Sequence, residues 1–110
     1  MEKTKIINAL AALAQESRLA VFRALVQAGP AGLAAGKISE LTGIAPSSLS
    51  FHLKELLHAN LVDSRSAGRF IIYTAQFSTM NQLLAYLTEN CCAGSACTDS
   101  TACSPEELQR

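Results

Sequence analysis

At 110 residues, with 49% apolar residues, 5% aromatics and no Trp, the chain is sized for one domain with a modest core. Its Leu- and Ala-rich make-up favours packed helices over a β-sandwich. Nine basic residues balance nine acidic ones, so the strong positive charge common in nucleic-acid-binding domains is missing, and the short, interrupted apolar runs exclude a membrane-spanning helix.

In chain order, Ile6, Ile7, Leu10 and Leu13 recur at helical spacing, and Leu19, Phe22, Leu25 and Val26 do so again. The polar Gln15-Glu16-Ser17 between them predicts two helices or a bent one, with Ser17 as an N-cap. The acids and helical spacing of this first stretch argue against a signal peptide. "AGPAGLAAG" (28–36) holds three Gly and a Pro and reads as a connector. A short helix, "KISEL", then stops at Gly43, a residue suited to a left-handed C-cap. Pro46 fits the first turn of the next helix, in which Leu49, Leu53, Leu56 and Leu57 form one apolar stripe.

Beyond that helix the period changes. "LVDSRSAGRFIIYTA" carries β-favouring residues on both sides of a turn, where Gly68 supplies the positive φ of a hairpin. The last periodic stretch, "TMNQLLAYLTEN", sets Met80, Leu83, Leu84 and Leu87 on one helical face. Past Asn90, Ala, Gly, Ser, Thr and Cys take over. The expected organisation is therefore a mainly α domain with a β-hairpin wing over residues 1–90, and a flexible Cys-rich tail over 91–110. A short helix, a Gly turn, a second helix and a hairpin make a winged helix-turn-helix.

These segments resemble the arsenical-resistance repressor (ArsR/SmtB) family of bacterial winged-helix metal sensors. The resemblance runs from about Leu10 to Leu87 and rests on "LAALAQESRLAVFRAL", "KISELTGIAPSSLSFHLKELLHANLV" and "RSAGRFIIYT". Ser50, His52, Leu53 and Lys54 match the family's helix pattern, and Gly68, Arg69 and Tyr73 its wing. The resemblance implies a homodimeric repressor that binds operator DNA when metal-free and lets go when its inducer binds. Two familiar inducer sites are absent. The positions of the founding Cys-x-Cys motif hold Ala34 and Gly36, and "MNQLLAYLTEN" has neither the His nor the Asp of the zinc sensors. One subgroup of arsenite repressors carries a Cys-Cys pair and a further Cys after the last helix, and "ENCCAGSAC" is similar to that arrangement.

Within this frame, Ser47, Ser48, Ser50 and His52 occupy the polar side of the second helix, where a major groove would receive them. The bland alternative is a merely solvated face. Lys54 can reach a phosphate, and Arg65 and Arg69 flank the wing turn, within reach of the backbone or minor groove. Lys37 reads instead as an ion-pair partner of Glu40. From Lys37 to Tyr73 four basic residues face three acids, so duplication in a dimer must help supply attraction. The apolar faces of the terminal helices, with Leu10, Leu13, Leu83, Leu84 and Leu87, are the expected two-fold interface.

All four cysteines lie within residues 89–103. A cytoplasmic location, expected by default, keeps thiols reduced, so they read as ligands or redox groups before disulfides. Trivalent arsenic and antimony are soft, thiophilic and pyramidal, so three thiolates on one side satisfy them. Cys91, Cys92 and Cys97 can supply these, with Cys103 as an optional fourth. Zinc, cadmium or lead, or an oxidative switch, are the competing uses of the same thiols. No redox Cys-x-x-Cys motif or phosphate-cradling Gly loop is present, so the chain reads as no enzyme.

Overall fold

The computed structural model describes residues 2–94. The polar break at Gln15 separates two helices, α1 (Lys3–Leu13) and α2 (Glu16–Ala28). The cap between them is Gln15 rather than Ser17: its side-chain oxygen accepts a hydrogen bond from the Arg18 N–H at 2.8 Å. Ser17 already lies inside the helix, so it has no orphan amide to serve.

The connector is more ordered than its composition suggests. A 3-10 turn over Gly29–Ala31 leads into a short strand, β1 (Leu33–Ala34), which the sequence reading did not anticipate. Helix α3 (Ala35–Thr42) and helix α4 (Pro46–His58) follow, then the hairpin β2 (Val62–Ala67) and β3 (Phe70–Ala75), and finally α5 (Phe77–Leu87). The sheet is antiparallel in the order β1-β3-β2, with Leu33 opposite Tyr73 and Arg65 opposite Ile72. Two residues are too few to read as a strand by period, and β1 exists because β3 offers it a ladder.

Gly32 makes that pairing possible. Its φ is +71°, and an added Cβ would lie 2.5 Å from the Tyr73 carbonyl oxygen and 2.7 Å from Ile72 Cγ2. Gly32→Ala should therefore destabilise the protein by about 2–5 kcal/mol, combining left-handed backbone cost with overpacking. Urea denaturation followed by circular dichroism measures it; a midpoint equal to wild type would mean the connector relaxes freely.

The core gathers one residue or a few from each helix and the wing base: Ile6 and Ala9, Val21, Phe22 and Leu25, Ile38, Leu49, Leu53 and Leu56, Leu61, Val62, Ala75 and Leu83. The apolar stripe predicted for α5 divides in two. Leu83 is 6% exposed and belongs to this core, whereas Leu84 and Leu87 are 53% and 55% exposed. Leu83 is thus removed from the expected intersubunit surface, because its side of α5 already lies against its own protomer. On α1, likewise, Ile6 is buried while Ile7 and Leu10 face outward. An apolar groove of about 390 Å³ runs among α1, α2 and α5, lined by Leu13, Leu19, Phe22, Val26, Met80 and Leu84 among others. Among the described residues, no helix is long and apolar enough to cross a membrane.

Candidate nucleic-acid interface

The turn between α3 and α4 is fixed by side chains the sequence reading passed over. The Ser39 hydroxyl donates to the Ile44 carbonyl at 2.6 Å, and the Thr42 hydroxyl to the Ile38 carbonyl at 2.7 Å. Thr42 Oγ1 also accepts from the Ile44 N–H at 3.3 Å. Gly43 closes α3 at φ 76°, its N–H donating to the Ser39 carbonyl, and Pro46 opens α4 at its first turn. Ser and Thr bond neighbouring backbone in this way wherever a turn leaves groups unpaired. The direction of α4 relative to α3 is set by these four residues.

On α4, Leu49, Leu53 and Leu56 face the core. The opposite line is Ser47, Phe51, Lys54 and His58, spaced i, i+4, i+7 and i+11 and all exposed. Ser48 and Ser50 are exposed beside it. His52 stands at the flank rather than on this line: it is half-buried, and its Nδ1 is buried with no hydrogen-bond partner. Only its Nε2 can then serve an outside acceptor. Phe51, on the central line, is not one of the polar residues that the sequence marks for this face; helical counting from Ser47 reaches it, whereas residue polarity does not.

The wing turns at Gly68 and Arg69, between the paired residues Ala67 and Phe70. Gly68 has φ +65°, and Arg69 does not share the positive φ, so a single glycine serves the turn. Arg69 is exposed at the tip. Arg65 is elsewhere: it sits in β2, and its Nη2 donates to the Ala31 carbonyl at 3.0 Å, tying the strand to the connector. Lys37 pairs with Glu40 at 3.5 Å, as expected for neighbours one turn apart. Of the cations considered for DNA contact, Lys54 and Arg69 extend outward without such ties among the described residues.

Residues 13–65, from the end of α1 into β2, match the model of a helix-turn-helix domain family. Over 81 residues the chain is 35% identical to the arsenical resistance operon repressor of Bacillus subtilis (strain 168), covering 74% of this chain and 73% of that protein. The chain belongs to the arsenical-resistance repressor (ArsR) family of transcriptional regulators. Its fold agrees with solved structures of ArsR type. An ArsR-like transcriptional regulator from Rhodococcus sp. RHA1 superposes with a TM-score of 0.69 at 26% identity, over 76% of each chain. The homodimeric winged helix-turn-helix DNA-binding domain of a Mycobacterium bovis protein does so at 0.65 and 26% identity, over 77% of this chain and 76% of that one.

The cysteines that the sequence marks as candidate inducer ligands begin at the end of the described residues. After α5 the chain makes a 3-10 turn over Cys91–Gly94, in which Cys92 (φ 57°, ψ 38°) and Ala93 (φ 56°, ψ 33°) are left-handed. Asn90 just before it is left-handed too, with φ 58°. The right-handed α-helical path of α5 is therefore not continued through Cys92. Cys91 and Cys92 are exposed. Ligation needs the thiolate form, so any use of the pair as ligands concerns the reduced chain. Cys97 and Cys103 lie outside the described residues. Among the described residues, no three His, Cys, Asp or Glu side chains gather as a metal site. Two soft donors suit a thiophilic ion in chemistry, and a trigonal set needs a third from further along the tail.

Proposed function

We propose that this ArsR-family regulator is a homodimeric repressor that holds a two-fold operator in its metal-free state and leaves it when trivalent arsenic or antimony is taken up by Cys91, Cys92 and Cys97. The observation that carries the DNA half is the outward face of α4, with Ser47, Ser48, Ser50 and Lys54 exposed opposite the buried Leu49, Leu53 and Leu56. A helix so presented fits the major groove, with hydroxyls for base edges and an ammonium for phosphate. His52 supports from the flank through Nε2, and Arg69 reaches the adjacent backbone or minor groove from the wing tip. Arg65 acts indirectly, by holding the wing to the connector.

The inducer half rests on the donor set. Cys91 and Cys92 are adjacent in a short turn that follows α5 after three residues and leaves right-handed geometry at Cys92, and soft sulfur is the ligand that trivalent arsenic and antimony prefer. Cys97 completes the set, and Cys103 is auxiliary. The dimer is read from the exposed apolar residues of α1 and α5 and from the homodimeric relative.

The test is operator binding by the reduced protein, followed by fluorescence anisotropy and titrated separately with arsenite, antimonite, zinc and cadmium. Release by the first two and not the others supports the reading; release by zinc alone overturns the metalloid assignment. A second reading rests on the exposure of the adjacent Cys91 and Cys92: exposed vicinal thiols also suit an oxidant sensor, in which case peroxide releases DNA with no metalloid present and a thiol reductant restores binding.

In the same assay Arg69→Ala should lower operator affinity by roughly tenfold, the size of one charge-assisted contact, with the fold intact. Circular dichroism confirms folding, and a folded variant of unchanged affinity removes the wing tip from DNA binding.

A further inference from the structure

Resting on the DNA-binding reading, we propose that Phe51 reads the C5-methyl group of a thymine in the operator's major groove. Phe51 is 57% exposed, yet it lies on neither of the apolar faces, on α1 and α5, that a second subunit would cover. It stands in the N-terminal half of α4, between Ser47 and Lys54 on the line pointing directly away from the core. Helix-turn-helix domains bring that part of the second helix to the base edges. A single exposed aromatic on an arbitrary surface means little. Here its neighbours are a hydroxyl and an ammonium suited to DNA.

The chemistry then narrows the partner. A phenyl ring has no hydrogen-bonding group, so it cannot distinguish bases by donors and acceptors. Among base edges in the major groove, thymine alone presents an apolar group, its C5-methyl. The minor groove offers no equivalent. The ring is also held in place: it meets His52 edge-on, with centroids 5.7 Å apart and planes at 65°. An aromatic already held by its neighbour loses less freedom on docking than an aliphatic chain. The Ser47 and Lys54 groups one turn away on either side supply polar contacts to flanking bases or phosphates. Phe51 thus sets sequence preference where the polar residues set register.

The experiment uses the reduced full-length chain and the tightest duplex it selects from a randomised pool. Each thymine is replaced singly by deoxyuridine, which deletes the methyl and leaves every hydrogen-bonding group in place. At one thymine in each half-site, wild-type affinity should fall about three- to fivefold, the effect of removing one buried methyl. Phe51→Ala should bind the parent duplex correspondingly less well and be indifferent to that replacement. Phe51→Leu, which keeps an apolar contact, should retain much of the discrimination. Should Phe51→Ala not fold, Phe51→Gln provides the same comparison. A wild-type protein indifferent to deoxyuridine at every thymine overturns the proposal, and so does a folded Phe51→Ala that keeps the full penalty. Both results leave DNA binding itself standing. Failure of the folded wild-type chain to select any duplex overturns the DNA-binding reading, and this assignment with it.

Discussion

Arsenite added to the reduced Cys91→Ser or Cys92→Ser protein should leave it on its operator at concentrations that free the wild type. Serine is almost the same size, and both positions are exposed, so neither change disturbs the core or the α4 face. The replacement hydroxyl remains protonated and hard, and cannot stand in for a soft thiolate. Operator affinity without arsenite should match wild type, while the arsenite needed for half-release rises by more than about tenfold, or more than ~1.4 kcal/mol. Cys97→Ser should behave alike and Cys103→Ser should respond nearly normally. Anisotropy of the labelled operator measures all four. If every variant still releases DNA normally with arsenite, the tail is not the sensor. A requirement for all four thiols, with zinc as the active titrant, would point to a four-sulfur zinc site instead. Linkage adds a check: an inducer that weakens DNA binding must itself bind less tightly to the DNA-bound protein, by the same factor.

Leu84→Glu should abolish the dimer while leaving a folded protomer. Leu84 is 53% exposed, so the carboxylate remains hydrated in the isolated chain and costs about 0.5 kcal/mol or less. In a two-fold assembly through α1 and α5 it becomes an unpaired buried charge at about 3–5 kcal/mol, incurred once in each subunit. Sedimentation velocity should show monomer, with helical circular dichroism retained. Leu83→Glu is the contrasting control. At 6% exposure Leu83 belongs to the protomer's own core, and the same charge there should unfold the chain. A folded Leu84→Glu dimer would place the interface elsewhere.

The contrast between Leu83 and Leu84 also marks how far the sequence is informative. Helical period located α5 and its apolar side, but period cannot tell which part of a wide stripe meets its own domain and which awaits a second one. The helix-turn-helix was legible because its punctuation is chemical: Gly43 and Pro46 mark where α3 stops and α4 starts. β1 was not, since its two residues are strand only because β3 lies beside them and Gly32 lets the chains approach. At the interface, the polar face of α4 followed from the Leu stripe, while the flank position of His52 and the prominence of Phe51 did not. Residue class suggested four polar readers; geometry turned one partly inward and put a phenyl ring on the central line. Arg65 looked like a wing-tip cation because it is near the turn in sequence, and its register opposite Ile72 carries it back toward Ala31.

That tether has a consequence for how such a regulator searches a genome. Non-specific attraction to DNA is almost wholly counterion release, and each neutralised phosphate steepens the loss of affinity with salt. A chain whose nine basic residues are balanced by nine acids, with Lys37 paired to Glu40 and the still-charged Arg65 drawn back toward Ala31 rather than out at the wing tip, exerts little net pull on random sequence. On the proposed DNA-binding reading it therefore lingers little on the surplus of irrelevant sites, and its occupancy of the operator changes only gently with ionic strength. Selectivity must then come from short-range fit, and a small pool of protein suffices to keep the operator filled.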